Sequence, residues 1–154
     1  MSVMSGTYPL SEIARIGALF LDGDVYEEVM PEFSRSYTDT DFLEYREQPF
    51  NALKRVLLLI ERIESQRAVI ACLWGLRGDN AKQVEVIVAG SHLPIEGYDV
   101  REIWTELQHA FDGKPAQRMN DAGETAYYPL RNSLEDVVAV LEVTEYKTNK
   151  YFFI

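Results

Sequence analysis

The sequence predicts an α+β fold with a mainly antiparallel sheet of five or six strands flanked by helices. Residues 126–131 and 137–146 are rich in strand-forming side chains and are separated by the polar stretch 132–136, which predicts an antiparallel hairpin. Residues 68–76 form a near-continuous apolar run, as expected of a strand in the middle of a sheet. Strands that cluster around few helices favour the α+β class.

Composition and charge exclude several classes of function and partner before any motif is considered. The 154 residues suit one domain with a real core. The 15 basic and 25 acidic side chains give a net charge of -10, which disfavours nucleic acid and anionic membrane surfaces as partners. The one cysteine, Cys72, fits a reducing cytoplasm. The apolar run 16–21 is too short for a signal peptide or a membrane span.

The chain is predicted to divide near residue 48. Residues 1–48 then form an N-terminal helical extension, in which apolar spacing predicts a helix over 11–21 and a short second one over 25–30 that stops before a proline. The charged segment 34–47 is interpreted as a connector. Residues 49–154 contain the remaining elements and form the second predicted unit.

A helix is predicted over 49–64, with a proline in its first turn. Its apolar stripe is widened by Leu58 and Leu59 beyond what one contact with a sheet requires. An exposed apolar surface of this kind indicates an interface, so we expect a homodimer. The alternative is a compact monomer in which the N-terminal helix covers the stripe with Ile13, Ile16 and Phe20.

Three further elements complete the predicted order. A strand over 83–89 places valines on one face and pairs with the preceding strand. Asp99 has Glu102 three residues later, the spacing of a capping box, which predicts a helix over 99–111 that ends before a glycine. A short strand over 117–119 precedes the final hairpin.

The hairpin TAYYPLRNSLEDVVAVLEVTEY, residues 125–146, together with the order of elements over 49–146, resembles the GAF domain, the ligand-sensing module of signalling proteins. The resemblance implies that the hairpin lies beside the first strand, in the middle of the sheet. The Asn-Lys-Phe-Asp-Glu run of cyclic-nucleotide GAF domains, the chromophore cysteine and Asp-Ile-Pro run of bilin-binding ones, and the multiple cysteines of methionine sulfoxide reductases do not occur in this sequence. No cofactor or ligand class is therefore predicted.

Catalytic and metal-binding patterns are sparse. Cys72 and either His92 or His109 could in principle form a thiolate and base, but a cysteine in the middle of an apolar strand usually packs as a small hydrophobe. Neither a His-Glu-x-x-His run nor a pair of cysteines is present for zinc. The sequence therefore predicts neither a catalytic site nor a metal site.

The GAF resemblance places the pocket between the sheet and the segments after the second strand. It implies a ligand-binding role for five side chains, each of which could equally pack or lie on the surface: His92, Tyr98, Trp104, Arg118 and Tyr128. Arg118 is the first to test if the ligand is an anion. The implied function is a non-catalytic, ligand-sensing or regulatory domain in cytoplasmic bacterial signalling. The alternatives are a dimerisation or interaction module without a ligand and, ranked last, a small enzyme on the same fold.

The chain ends on four apolar residues, 151–154. Such an end suggests a domain cut from a longer protein. The resemblance implies a C-terminal output domain such as a GGDEF diguanylate cyclase or an HD-type phosphodiesterase. The alternative is a terminal segment that docks its own aromatic side chains.

Overall fold

The computed structural model describes residues 8–33, 49–64, 66–77, 80–91, 100–119 and 123–146. The elements within these residues are α1 (Leu10–Leu19), α2 (Gly23–Phe33), α3 (Pro49–Ile60), β1 (Val69–Arg77), β2 (Asn80–Ala89), β3 (Arg101–Glu102), α4 (Thr105–Phe111), β4 (Ala116–Met119), β5 (Gly123–Arg131) and β6 (Val137–Tyr146). The predicted connector 34–47 and the apolar chain end 151–154 lie outside the described residues.

The strands form one antiparallel sheet of six strands in the order β3-β2-β1-β6-β5-β4. β1 and β6 lie at its centre and pair from Val69 opposite Glu145 to Trp74 opposite Val140. The hairpin of β5 and β6 is therefore in the middle of the sheet and next to the first strand, where the GAF resemblance places it. The predicted α+β class, the antiparallel sheet and the central pairing are confirmed.

Helices α1, α2 and α3 cover one side of the sheet, which we call the helical face. In α3 the buried side chains are three and four positions apart, so one stripe of the helix faces the strands. Residues of β1, β5 and β6 meet this stripe and the buried residues of α1 and α2. The largest fully buried apolar side chains of this core include Leu10, Ile13, Leu53, Leu57, Leu73 and Leu141.

The opposite side of the sheet, the site face, is packed against α4. Successive side chains of a strand point to opposite faces, so Trp74 and Val140 lie here while their neighbours Leu73 and Leu141 face the other core. The buried cluster on the site face is the smaller of the two and consists of Cys72, Trp74, Val84, Val86, Ala89, Leu107, Ala110, Tyr127 and Val140. A single short helix thus leaves much of this face to other contacts.

The predicted helix over 99–111 is wrong at its start. Arg101–Glu102 form β3 instead, with Val84 opposite Arg101 on the edge of β2, and the helix begins at Thr105. Asp99 lies outside the described residues. The physical reason is that pairing with an open strand edge satisfies more backbone groups than a capping box does. Trp104, in extended conformation, becomes the N-cap residue of α4.

The N-terminal helices are longer or shifted relative to the predictions. α2 extends over Gly23–Phe33 and so does not stop before its proline, which lies in the last turn, where few following backbone bonds are affected. α1 packs on β5 and β6. The division of the chain near residue 48 stays a prediction. Within the described residues, no helix has the length and apolar character needed to cross a membrane.

Candidate functional site

A row of polar side chains crosses the centre of the site face. Glu142 on β6 lies opposite Cys72 on β1 and opposite Tyr127 on β5. Directly opposite residues of antiparallel strands project to the same face, so the three side chains are neighbours. The Cys72 thiol donates to Glu142 Oε1 over 3.4 Å. Burial raises the pKa of the Cys72 thiol well above its usual value, so the thiol remains protonated and donates.

A second row lies two residues further along the same strands. Thr144 on β6 is opposite Thr125 on β5, which in turn is opposite Arg118 on β4. The two threonine hydroxyl oxygens are 3.1 Å apart and share a hydrogen bond. This end of the site face is therefore polar, although its other end is apolar.

Two indole rings border the polar rows. The rings of Trp74 on β1 and Trp104 at the start of α4 are perpendicular, with centroids 5.1 Å apart. Trp104 Nε1 donates to the Tyr127 hydroxyl over 3.0 Å. The guanidinium carbon of Arg118 lies 5.7 Å from the centroid of the Trp104 ring. Aromatic side chains and one cation thus surround the row that contains Glu142.

The indole N–H of Trp74 is an unpaired donor. Trp74 is only 3% exposed, and its Nε1 has no hydrogen-bond partner among the described residues. It lies close enough to Glu142 to favour the ionised form of that carboxylate, yet the geometry falls short of a hydrogen bond. Buried donors are nearly always paired, so an unpaired donor beside a carboxylate is a feature that a function of the site face has to explain.

Glu142 combines a crowded surrounding with access to solvent. The residue is half-buried, although it lies on a strand that is paired on both sides. Burial raises the pKa of Glu142, and the nearby donors and the charge of Arg118 oppose that rise. Among the described residues, no lysine, arginine or histidine forms an ion pair with it.

Helix α3 is tied to the strand ends beside this site by two side chains, Lys54 and Glu61, which we call the α3 clamp. Lys54 Nζ donates to the carbonyl oxygens of Ala89 and Gly90 over 2.9 and 2.8 Å. Glu61 Oε2 accepts from the backbone N–H of Ala71 over 2.9 Å. Both contacts lie next to Cys72, which donates to Glu142: Ala71 precedes Cys72 in β1, and Ala89 lies opposite it in β2. The clamp therefore connects α3 to the edge of the site.

The structure brings together only some of the side chains that the sequence predicts for ligand binding. Trp104 and Arg118 are neighbours on the site face. Tyr128 lies on the helical face, where it packs against the core near α1, because adjacent residues of a strand point to opposite sides. His92 and Tyr98 lie outside the described residues. The ligand-binding role of all five stays a prediction.

Sequence reasoning missed the residue at the centre of the site, Glu142. Its signal was a lone acidic residue between Leu141 and Val143 in a strand predicted to be central. The GAF resemblance places the pocket instead at the segments after the second strand, and the sequence indicates for Cys72 a packed small hydrophobe or a nucleophile, not a hydrogen-bond donor in a binding site. A charged side chain within a central apolar strand is unusual enough to indicate a site.

The arrangement is suited to binding rather than to covalent chemistry. Its groups are a carboxylate, an unpaired N–H donor, a hydroxyl and aromatic rings. Because burial raises the pKa of the Cys72 thiol, that group lacks the thiolate character of a nucleophile. Within the ranges that the structure describes, no three or more His, Cys, Asp or Glu side chains cluster so as to hold a metal ion.

No family model matches the sequence, and no curated protein matches it either. Among solved structures, the chain is similar to the GAF domain of A. aeolicus nlh2 in an inactive state, with a TM-score of 0.46 and 9% sequence identity. That similarity covers 90% of this chain and 85% of the other. The GAF-like description of the fold rests on the strand order and the central position of the β5–β6 hairpin.

Proposed function

We propose that this chain is a non-catalytic regulatory domain that senses a small molecule on the site face, with Glu142 at the centre of the binding site. The observation that carries this proposal is the juxtaposition of two groups: the buried, unpaired N–H of Trp74 and, beside it, the half-buried carboxylate of Glu142, which forms no ion pair among the described residues. Leaving such groups unpaired costs stability, so their retention supports a role in binding.

The signal would travel by a shift in population between two arrangements of α3. A ligand on Glu142 contacts the row formed with Cys72, and the α3 clamp links the neighbouring backbone to α3 through Lys54 and Glu61. The outer side of α3 presents Leu59 to solvent. A partner bound there would experience the change, and in a cytoplasmic signalling protein that partner is a second copy or an output domain.

A second candidate function is a dimerisation or interaction module that takes no ligand. The observation that favours it is an exposed apolar surface on α1 and α3, where Leu19, Phe20 and Leu59 are 72%, 70% and 64% exposed. Exposed apolar surfaces of this kind mark interfaces. α1 covers only part of the stripe on α3: Ile13 is buried, whereas Phe20 points to solvent.

Native mass spectrometry of the freshly purified chain tests the two functions against each other. The sensing function predicts a retained small molecule on the wild type and on the control variant Glu124→Gln, which changes a carboxylate on the opposite side of β5. It predicts loss of that molecule from Glu142→Gln. A wild-type protein without any bound molecule, found as a dimer, favours the interaction module, and equal retention by both variants places the binding site elsewhere.

A further inference from the structure

Among the described residues, Glu142 differs from the other poorly exposed carboxylates in forming no ion pair and no hydrogen bond with a backbone N–H. Glu61 accepts hydrogen bonds from two backbone N–H groups. Glu85 lies 3.6 Å from an arginine, and Glu145 lies 2.6 Å from another. The donors around Glu142 are all uncharged: the Cys72 thiol donates to it over 3.4 Å, and the Tyr127 hydroxyl and the Trp74 N–H lie close enough to favour its ionised form. Because a carboxylate away from bulk water needs a compensating positive group, the missing partner is the feature to explain.

The groups around Glu142 favour a cation over an anion. Trp74, Trp104 and Tyr127 form an aromatic cluster beside it, and the faces of aromatic rings attract cations. Arg118 provides an example, since its planar guanidinium already lies 5.7 Å from the centroid of the Trp104 ring. An anion would meet the charge of Glu142 directly. The net charge of -10 adds a long-range attraction for cations.

We propose that the sensed molecule is a small organic cation, an amine, amidine or guanidine, that donates hydrogen bonds to Glu142 and lies against the half-buried ring of Trp104. This inference rests on the proposed sensing function and names its ligand class. It also accounts for the unpaired N–H of Trp74, because a carboxylate that the cation holds in its ionised form is the acceptor that this donor lacks.

The protonation of Glu142 then controls binding. The titratable or charged groups that face it are Cys72 on β1, Tyr127 on β5 and Arg118 on β4. Burial raises the pKa values of the thiol and the phenol, so both are neutral at and below neutral pH, and a guanidinium keeps its charge. Glu142 is the group in this set that changes charge between acidic and neutral pH, so affinity for a permanent cation rises as pH rises.

Benzamidine, benzamide and benzoate test this inference because they share one shape and differ in charge. Both tryptophans of the chain, Trp74 and Trp104, lie in the site, so intrinsic fluorescence reports on its occupation. We expect benzamidine to bind at least about tenfold more tightly than the other two. Glu142→Gln removes this preference and Glu124→Gln keeps it. With the wild type, benzamidine affinity increases from acidic to neutral pH and benzamide affinity does not, a result independent of how the variants fold.

Each other outcome overturns the inference in a recognisable way. If benzamide or benzoate binds the wild type as tightly as benzamidine, the ligand is not selected for positive charge, and the sensing function still stands. A preference for benzamidine that persists in Glu142→Gln means that another group recognises the charge. If none of the three probes changes the fluorescence at millimolar concentration, the cation inference fails. The sensing function fails with it only when native mass spectrometry also finds no retained molecule.

Discussion

The two faces of the sheet differ in how they are covered and in how their polar groups are paired. The helical face is covered by three helices, and its charged groups are paired, as Glu61 is with backbone N–H groups and Arg67 is with Glu145. Among the described residues, the site face is covered by one helix of seven residues, the N–H of Trp74 has no hydrogen-bond partner, and Glu142 forms no ion pair. Stability is therefore concentrated on one face, and the capacity to bind is concentrated on the other.

Unpaired polar atoms occur on both faces, and their access to solvent separates them. The Tyr26 hydroxyl also has no hydrogen-bond partner among the described residues, but Tyr26 is 1% exposed and its hydroxyl lies against Gly75, beside Ile87. No ligand can reach it without unpacking the helical face. The Trp74 N–H lies instead beside Glu142, which solvent reaches. An unsatisfied group thus indicates a binding site only where a path to it exists.

The largest expected effect comes from truncating the core of the helical face. Leu57 is fully buried in α3, so Leu57→Ala removes apolar contacts and leaves a cavity, and we expect a loss of about 2–5 kcal/mol of unfolding free energy. Leu59→Ala on the exposed side of the same helix is the matched control, with a change within about 0.5 kcal/mol. Urea denaturation measures both. Similar losses for the two variants would contradict the described orientation of α3.

A pair of tyrosine variants compares a hydrogen-bonded hydroxyl on the site face with an unpaired hydroxyl on the helical face. Tyr127→Phe removes the acceptor of the Trp104 N–H, and we expect it to lower the unfolding free energy by about 1 kcal/mol. Tyr26→Phe removes a buried hydroxyl without a partner, so the same change should leave stability equal or raise it by up to about 1 kcal/mol. Thermal or chemical unfolding of both variants decides. A destabilising Tyr26→Phe would show that its hydroxyl is paired.

A smaller effect is expected from the protonation of Glu142. Its folded-state pKa is raised above the ordinary value of 4.5, so the folded protein binds this proton more tightly than the unfolded chain does. The stabilising contribution is complete below 4.5 and is lost as pH rises through the folded-state value. Glu142→Gln has no such loss. Unfolding free energies measured over this range should therefore diverge in favour of Glu142→Gln as pH rises, and parallel curves would contradict the raised pKa.

The smallest effect on stability is expected from substitutions on the exposed apolar surface of α3. The same substitutions test whether this surface forms a homodimer. Leu59 is exposed and Leu58 is half-buried. We expect Leu59→Glu to change the unfolding free energy by within about 0.5 kcal/mol. If the chain is a homodimer, this variant and the double variant with Leu58→Glu should split it without unfolding the sheet. Light scattering coupled to size exclusion measures the mass, and a wild-type monomer of 17.7 kDa at micromolar concentration would contradict the dimer.

The sequence predicts the sheet well because the signals for its central strands are local. The apolar run of β1 and the turn between β5 and β6 lie within short windows, and the paired strands occur where these windows predict them. The start of α4 was predicted wrongly because it depends on the distant edge of β2, which pairs with residues 101–102. A capping motif cannot indicate that a remote strand competes for the same backbone.

The site was harder to predict because it depends on register. Trp104 and Arg118 follow from the GAF resemblance, and the structure places them together. Tyr127 rather than Tyr128 contacts Trp104, and a shift of one residue decides which of the two faces the site. Glu142 becomes notable only when three strands are aligned, since the absence of an ion pair among the described residues is a property of its neighbours and not of its own sequence.

The most direct test of this division between faces is a two-dimensional ¹H–¹⁵N spectrum recorded while benzamidine is added to the labelled chain. The chain has two tryptophans and hence two indole N–H signals, both from the site face. We predict that both signals move with saturation, that backbone signals around Glu142 move with them, and that Glu142→Gln abolishes the shifts. Unchanged indole signals, or shifts confined to the exposed surface around Leu59 and Phe20, would contradict binding on the site face.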